Sequence, residues 1–240
     1  MIKIKNKKII PNIFTFLNLF FGCISIIFLQ SKNFYNSAIA TLFSIIFDFL
    51  DGFFSRIIKS ENQFGKELDS LADMVSFGIV PSIIVFLLFK KNTINQKIPC
   101  IEWFSFLICI FSAWRLAKFN TTNPTYYRGL TTPVNTLFFS SLSIIVMNNT
   151  TTPVFIKNII RHPIIILFMI FFSCYFLISK ISMISFSFED FSWKKNKIRY
   201  IFLLISTFLL LTLHVVALPC IIIIYIITSV YFHRKNKKIH

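Results

Sequence analysis

Apolar residues run along this chain in blocks too long for the helices of a soluble domain, and polar residues gather in the gaps between them. A helix crossing the hydrocarbon core of a bilayer needs about 20 mostly apolar residues. By that measure the predicted spans are 12–30, 37–58, 68–89, 101–119, 130–147, 159–179, 198–217 and 219–232. The last two share one long run. Pro219 near its middle predicts a tight turn between two helices, with one long kinked helix as the alternative. The pattern predicts an all-α, polytopic integral membrane helix bundle of six to eight spans, forming a single domain over residues 1–240. No internal repeat is visible.

Composition narrows the class further. Of 240 residues, 55% are hydrophobic, 14% are charged and 32 are Phe, and the mean hydropathy is +0.73. A soluble domain carries about a quarter charged residues, so this chain has too little polar surface to coat a globule. Disorder is excluded on the same ground. The net charge of +16 is therefore read against anionic lipid and not against nucleic acid. No small-residue cleavage site follows the first apolar stretch, so residues 1–8 and the first span are expected to stay in the mature protein. The five cysteines (Cys23, Cys100, Cys109, Cys174 and Cys220) form no CxxC pair. They read as small core residues, without a disulfide framework or a zinc site.

Charge also sets sidedness. With eight spans and the N-terminus in the cytoplasm, only Lys32, Lys90, Lys91, Lys97, Lys157 and Arg161 fall outside, and the other 19 of the 25 Lys and Arg fall inside. Cytoplasmic loops carry such an excess. Both tails are basic, so both termini are expected in the cytoplasm, with an even span count. The expected location is a bacterial inner membrane.

Six of the nine acidic residues lie between Asp48 and Asp73. Four of these are Asp within two predicted spans, where each ionised residue costs roughly 2.5–3.5 kcal/mol if exposed to lipid. Asp48, Asp51, Gly52 and Ser55 share one helical face; Gly65, Asp69 and Asp73 share another. The two helices are consecutive and joined by a short loop, so they pack antiparallel and their acidic faces meet at one depth. Four clustered carboxylates repel one another unless a cation intervenes. Oxygen-only ligands suit Mg²⁺ or Mn²⁺, and two ions clamping a diphosphate would use all four. Gly52 and Gly65 leave room for close approach, and Arg56 offers a planar fork to phosphate. A buried ion-pair network is a poor alternative, with four Asp against one Arg.

The stretch DFLDGFFSRIIKSENQFGKELDSLAD (48–73) resembles the signature of the CDP-alcohol phosphatidyltransferase family, D-x2-D-G-x2-A-R-x8-G-x3-D-x3-D. Every spacing agrees, and Ser55 stands where the family usually has Ala. Three further segments, 10–26, 64–82 and AWRLAKFN (113–120) followed by GLTTPV (129–134), are similar to the phosphatidylserine synthase branch. That branch usually has Pro at the position of Thr131 and Ala at that of Val134. The resemblance covers most of residues 10–140.

What the resemblance implies is transfer of the phosphatidyl group from CDP-diacylglycerol to L-serine, with release of CMP. It makes Asp48, Asp51, Asp69 and Asp73 the metal ligands and Asp73 also the candidate general base. Gly52, Arg56 and Gly65 would line the CDP site. Around these, Thr15 and Asn18 on the first span read either as contacts to cytosine or ribose or as polar packing groups between helices. Arg115 and Asn120 end the fourth predicted span. Arg115 reads as a partner for the serine carboxylate or as a side chain snorkelling to headgroups, Asn120 stands with it as an acceptor candidate, and Arg128 and Lys66 are weaker candidates for the same role. The expected partners are CDP-diacylglycerol, L-serine and membrane lipid, with a homodimer left open and no nucleic acid. One alternative keeps the donor and changes the acceptor to glycerol 3-phosphate, inositol phosphate or choline; glycerol-phosphate enzymes of the family often follow the last Asp with Lys, where this chain has Met74. The other is a membrane metal or ion transporter, since acids within spans also serve transport.

Overall fold

A bilayer offers no partner to a backbone N–H or C=O, and a helix satisfies both internally; the apolar runs fold accordingly. A computed structural model of the chain describes residues 9–58, 63–91, 100–121, 129–147, 153–184 and 193–237, and among these the regular structure is entirely helical. Helix α1 (Ile9–Gln30) turns back through Ser31–Asn33 into α2 (Phe34–Ile58). Helix α3 (Gln63–Lys90) is continuous but carries a π turn at Met74–Ile79. A 3-10 turn (Ile101–Ser105) leads into α4 (Phe106–Thr121), followed by α5 (Thr132–Met147), α6 (Val154–Arg161), α7 (Pro163–Ile178), α8 (Trp193–Leu213) and α9 (Ala217–Lys237).

Small polar side chains bring these helices close. Ser25 on α1 hydrogen-bonds Ser37 Oγ at 2.8 Å and Thr41 Oγ1 at 2.9 Å on α2, and the Phe14 and Phe54 rings stack 5.1 Å apart nearer the other end of the hairpin. Helix α5 lies at the centre, packed against α2, α3 and α9. Its buried face mixes Phe138, Phe139, Leu142 and Ile145 with Thr132, Thr136, Ser140, Ser141 and Ser143. Ser141 and Ser143 return their hydroxyls to carbonyls of their own helix, which keeps a hydroxyl-rich helix tolerable in an apolar core. Large apolar side chains such as Phe49, Phe168 and Leu204 point outward; acyl chains cover such a surface where water could not.

By length and apolarity four stretches can cross a membrane: Pro11–Gln30, Phe34–Ile58, Gln63–Lys90 and Arg199–Arg234. The pair α6 and α7, bent by 65°, makes a fifth when taken as one span. The stretch Arg199–Arg234 is folded back on itself. The Phe202 and Tyr225 rings lie 6.0 Å apart, whereas a continuous helix would hold those residues roughly 35 Å apart. A helical pair is therefore present, as one sequence reading expected. The turn falls earlier than Pro219, at His214–Val216, with His214 left-handed at φ 48°. Pro219 sits in the first turn of α9, where its missing N–H leaves no bond unmade.

Two further boundaries differ from the sequence reading. The predicted span 159–179 is broken at His162, which is extended (φ −61°, ψ 128°) ahead of Pro163. The residue before a proline is disfavoured in the helical region, so α6 separates as a short helix with Val154, Phe155 and Ile159 exposed. Arg115, expected at the end of the fourth span, lies inside α4 and is buried.

Candidate active site

The aspartates approach from two helices, as the short loop between α2 and α3 requires. Carboxylate oxygens of Asp48 on α2 and of Asp69 and Asp73 on α3 lie within 4.8 Å of one another. Asp73 is buried and the other two are half-buried. Asp51, one turn beyond Asp48 on α2, is buried as well and accepts a 2.6 Å hydrogen bond from Thr15 Oγ1 on α1.

Helix α1 supplies the support. Asn18 Nδ2 donates to Asp73 Oδ1 at 3.1 Å. Its amide is oriented from the other side by Ser44 Oγ of α2, which donates to Asn18 Oδ1. Ser76 Oγ of α3 donates to the Asn18 backbone carbonyl at 3.2 Å. Thr15 and Asn18, open in sequence between nucleotide contact and interhelical packing, thus bond across to α2 and α3 and end on two of the carboxylates.

The π turn begins directly after Asp73. Its signature is the bond from Val80 N–H to the Val75 carbonyl, one residue wider than the α pattern, and π turns cluster at functional positions. Three features hold it. Pro81 has no N–H for the Phe77 carbonyl one turn back, and Thr136 Oγ1 on α5 donates there at 3.2 Å. Gly22 on α1 faces Ser76, and any Cβ at that position would overlap Ser76 Oγ. A Cβ on Gly78 would meet Met74 Sδ at 3.1 Å and Ser112 Cβ of α4 at 3.5 Å. The sequence reading missed this turn and its supports Ser44, Gly22 and Thr136; Gly78 and Pro81 within an apolar run were the available signal.

On the far side of the cluster, Arg115 of α4 lies within electrostatic range of Asp73. Its Nη1 donates to Thr132 Oγ1, at the start of α5, at 3.3 Å. Asn120 Nδ2 donates to Ser70 Oγ at 3.0 Å, tying the end of α4 to the helix that carries Asp69 and Asp73. Lys66 is exposed in the first turns of α3. Arg128 lies outside the described residues.

The opposite rim is open. Gly52 is exposed, and a Cβ there would meet only Arg56 Nη2 at 3.9 Å. Arg56 folds back along α2, its Nε donating to the Gly52 carbonyl at 2.8 Å, so its guanidinium borders this space. Gly65 is half-buried in α3. The donor set is all carboxylate oxygen, which fits Mg²⁺ or Mn²⁺, and the two neighbouring guanidiniums, Arg56 and Arg115, leave the four aspartates with an excess of negative charge for a divalent ion to offset.

The CDP-alcohol phosphatidyltransferase family model matches residues 8–178. Among curated proteins, the chain is 36% identical over 129 residues to a CDP-diacylglycerol–serine O-phosphatidyltransferase of Helicobacter pylori strain J99, covering 51% of this chain and 52% of that protein. It is 33% identical over 137 residues to a protein of the same name from Methanocaldococcus jannaschii, covering 57% of this chain and 61% of that one. It is also 33% identical over 89 residues to a CDP-diacylglycerol–glycerol-3-phosphate 3-phosphatidyltransferase of Aquifex aeolicus, covering 37% of this chain and 49% of that one. The matched stretch spans about half to three fifths of the length of these relatives. With its carboxylates gathered from α2 and α3 inside the matched region, the chain belongs to the CDP-alcohol phosphatidyltransferase family.

Proposed function

We propose that this chain transfers the phosphatidyl group of CDP-diacylglycerol to L-serine, giving phosphatidylserine and CMP in phospholipid biosynthesis. The observation that carries the reading is the meeting of Asp48, Asp69 and Asp73 within 4.8 Å, at the open rim beside Gly52 and Arg56. The names of the Helicobacter and Methanocaldococcus relatives support serine as acceptor.

Asp48, Asp51, Asp69 and Asp73 would hold two Mg²⁺ or Mn²⁺ ions, whose chemistry is to neutralise the diphosphate and the departing CMP. The residues do the rest. Gly52 leaves the donor's phosphates room to approach, and Arg56 and Gly65 border that approach. Thr15 and Asn18 fix the Asp51 and Asp73 carboxylates, so the ligands need not reorganise during reaction. Asp73 has one oxygen on Asn18, and its other side faces the cluster. It accepts the proton of the serine hydroxyl as that oxygen attacks the phosphorus bearing the diacylglycerol. The P–O bond to CMP breaks as the new one forms, in a single in-line displacement without a covalent enzyme intermediate. Arg115, buried within electrostatic range of Asp73, pairs with the serine carboxylate, with Asn120, Lys66 and, outside the described residues, Arg128 as the remaining acceptor candidates.

The Aquifex relative supports a second reading, with glycerol 3-phosphate as acceptor. The transporter reading fits less well, since Asp48, Asp51, Asp69 and Asp73 gather at one end of a single helix pair, while transport sites lie near mid-membrane. The site and both termini are assigned to the cytoplasmic face of a bacterial inner membrane, on the charge distribution above. The test is CMP release by purified protein with Mn²⁺ or Mg²⁺. Release that requires serine supports the proposal; release that requires glycerol 3-phosphate and ignores serine transfers it to the second reading.

A further inference from the structure

At the other end of α1, α3 and α5 from the aspartates lies a cavity of about 410 Å³, lined by Lys32, Phe34, Leu87, Lys90, Lys91 and Met147. From Asp73 to Lys90 along α3 is roughly 25 Å at 1.5 Å per residue, close to the thickness of a bilayer's hydrocarbon core. The cavity therefore sits at the opposite membrane face. Its walls divide by chemistry. Phe34, Leu87 and Met147 give an apolar floor, and three lysines stand at the rim, exposed to the surroundings. Lys90 extends over the Phe86 ring, 4.7 Å from its centroid. Lys32 occupies the turn between α1 and α2 in a left-handed conformation, φ 57°.

More positive charge converges from α6. Arg161 reaches back to donate to the Val146 carbonyl at 2.6 Å, next to Met147 in the cavity wall. The protein's bulk beside it, and then the charges of Arg161 and Lys157, lower the pKa of the Lys91 ammonium from its ordinary value. Of the six cations that the sequence places on this side, five are thus gathered at one corner. Glu102 is the one acidic residue in the chain between Asp73 and Glu189. Scattered cations on the outer face would only oppose the positive-inside bias; cations concentrated around an apolar cavity match an amphiphile with an anionic head.

We propose that this cavity binds an anionic phospholipid of the leaflet opposite the catalytic cluster, its phosphate among Lys32, Lys90 and Lys91 and an acyl chain over Phe34, Leu87 and Met147. The lipid seals the seam between the α1–α2 turn and the ends of α3 and α5, far from the reacting groups. Helix α6, with Val154 and Phe155 exposed, lies beside it.

The test is native mass spectrometry of the full-length protein in detergent, titrated with phosphatidylglycerol, phosphatidylcholine or inorganic phosphate. The wild-type protein should retain phosphatidylglycerol in preference to phosphatidylcholine, and phosphate alone should not compete for it. Lys90→Gln with Lys91→Gln should weaken phosphatidylglycerol binding about thirtyfold, from the attraction of two surface lysines to anionic lipid. Lys180→Gln with Arg234→Gln, which removes the same charge elsewhere, should leave it unchanged. Equal binding of the two lipids, full competition by phosphate, or equal loss in both double variants would overturn the proposal.

Discussion

Thr15 and Asn18 give the clearest residue-level expectations, because each makes one bond to one carboxylate. Thr15→Val keeps shape and removes the 2.6 Å donor to Asp51. Partners of metal ligands typically account for a 10–100-fold change in metal affinity or activity when lost. Thr15→Val and Asn18→Ala should each fall in that range in a Mn²⁺ titration, with helicity retained. A titration unchanged in both would return these residues to plain interhelical packing. Arg115 makes a sharper case. Arg115→Ala should raise the serine KM about tenfold to a hundredfold, as for a charge-assisted bond of roughly 1.5–3 kcal/mol, and change the KM for CDP-diacylglycerol little. Arg115→Lys should recover part of the loss, since it keeps the charge but not the fork that reaches Thr132. Equal effects on both substrates would place Arg115 in the donor site. The sequence singled out Arg115 but set it at a span end. Its burial arises because α5 starts beside it and offers Thr132, a contact between segments far apart in the chain.

At the scale of elements, the π turn decides how α3 meets its neighbours. Gly22 allows α1 to lie against Ser76, and Gly22→Ala forces a methyl into the Ser76 hydroxyl. Overpacking of this kind costs about 1–3 kcal/mol and here also pushes on Asn18 and, through it, Asp73. Gly22→Ala should lower both the thermal midpoint and activity. Adding Ser76→Ala should restore part of the midpoint, because the overlapping oxygen is gone; additive losses in the double variant would contradict this packing. The acid-bearing faces of α2 and α3 were legible in the chain, since spacing alone fixes which residues share a helical face and a short loop fixes antiparallel packing. The π turn was not, because its bonds are completed from α5 by Thr136. The break at Pro163 was not foreseen, and the turn at His214 was set at Pro219. Hydrophobicity continues through both, and the backbone turns at the residue ahead of the proline in one case and at a left-handed His in the other.

For the whole molecule, the helix order places the aspartate cluster and the lysine-rimmed cavity at opposite ends of one bundle. Reporter fusions at the two termini should both read as cytoplasmic. In a cysteine-free background, His214→Cys in the α8–α9 turn should label from the opposite side. Termini on different sides would contradict the even span count. On the proposed reading, two antiparallel helices bring their aspartates together as one divalent-metal site, on which transfer to the acceptor would depend. Electron paramagnetic resonance of Mn²⁺ bound to the full-length protein tests it most directly. Saturable Mn²⁺ binding that Mg²⁺ displaces is expected, weakened at least about tenfold by Asp69→Asn with unchanged helicity, and unaffected by Glu67→Gln on the same helix. Mn²⁺ binding of equal strength in the wild-type protein and in Asp69→Asn would contradict it.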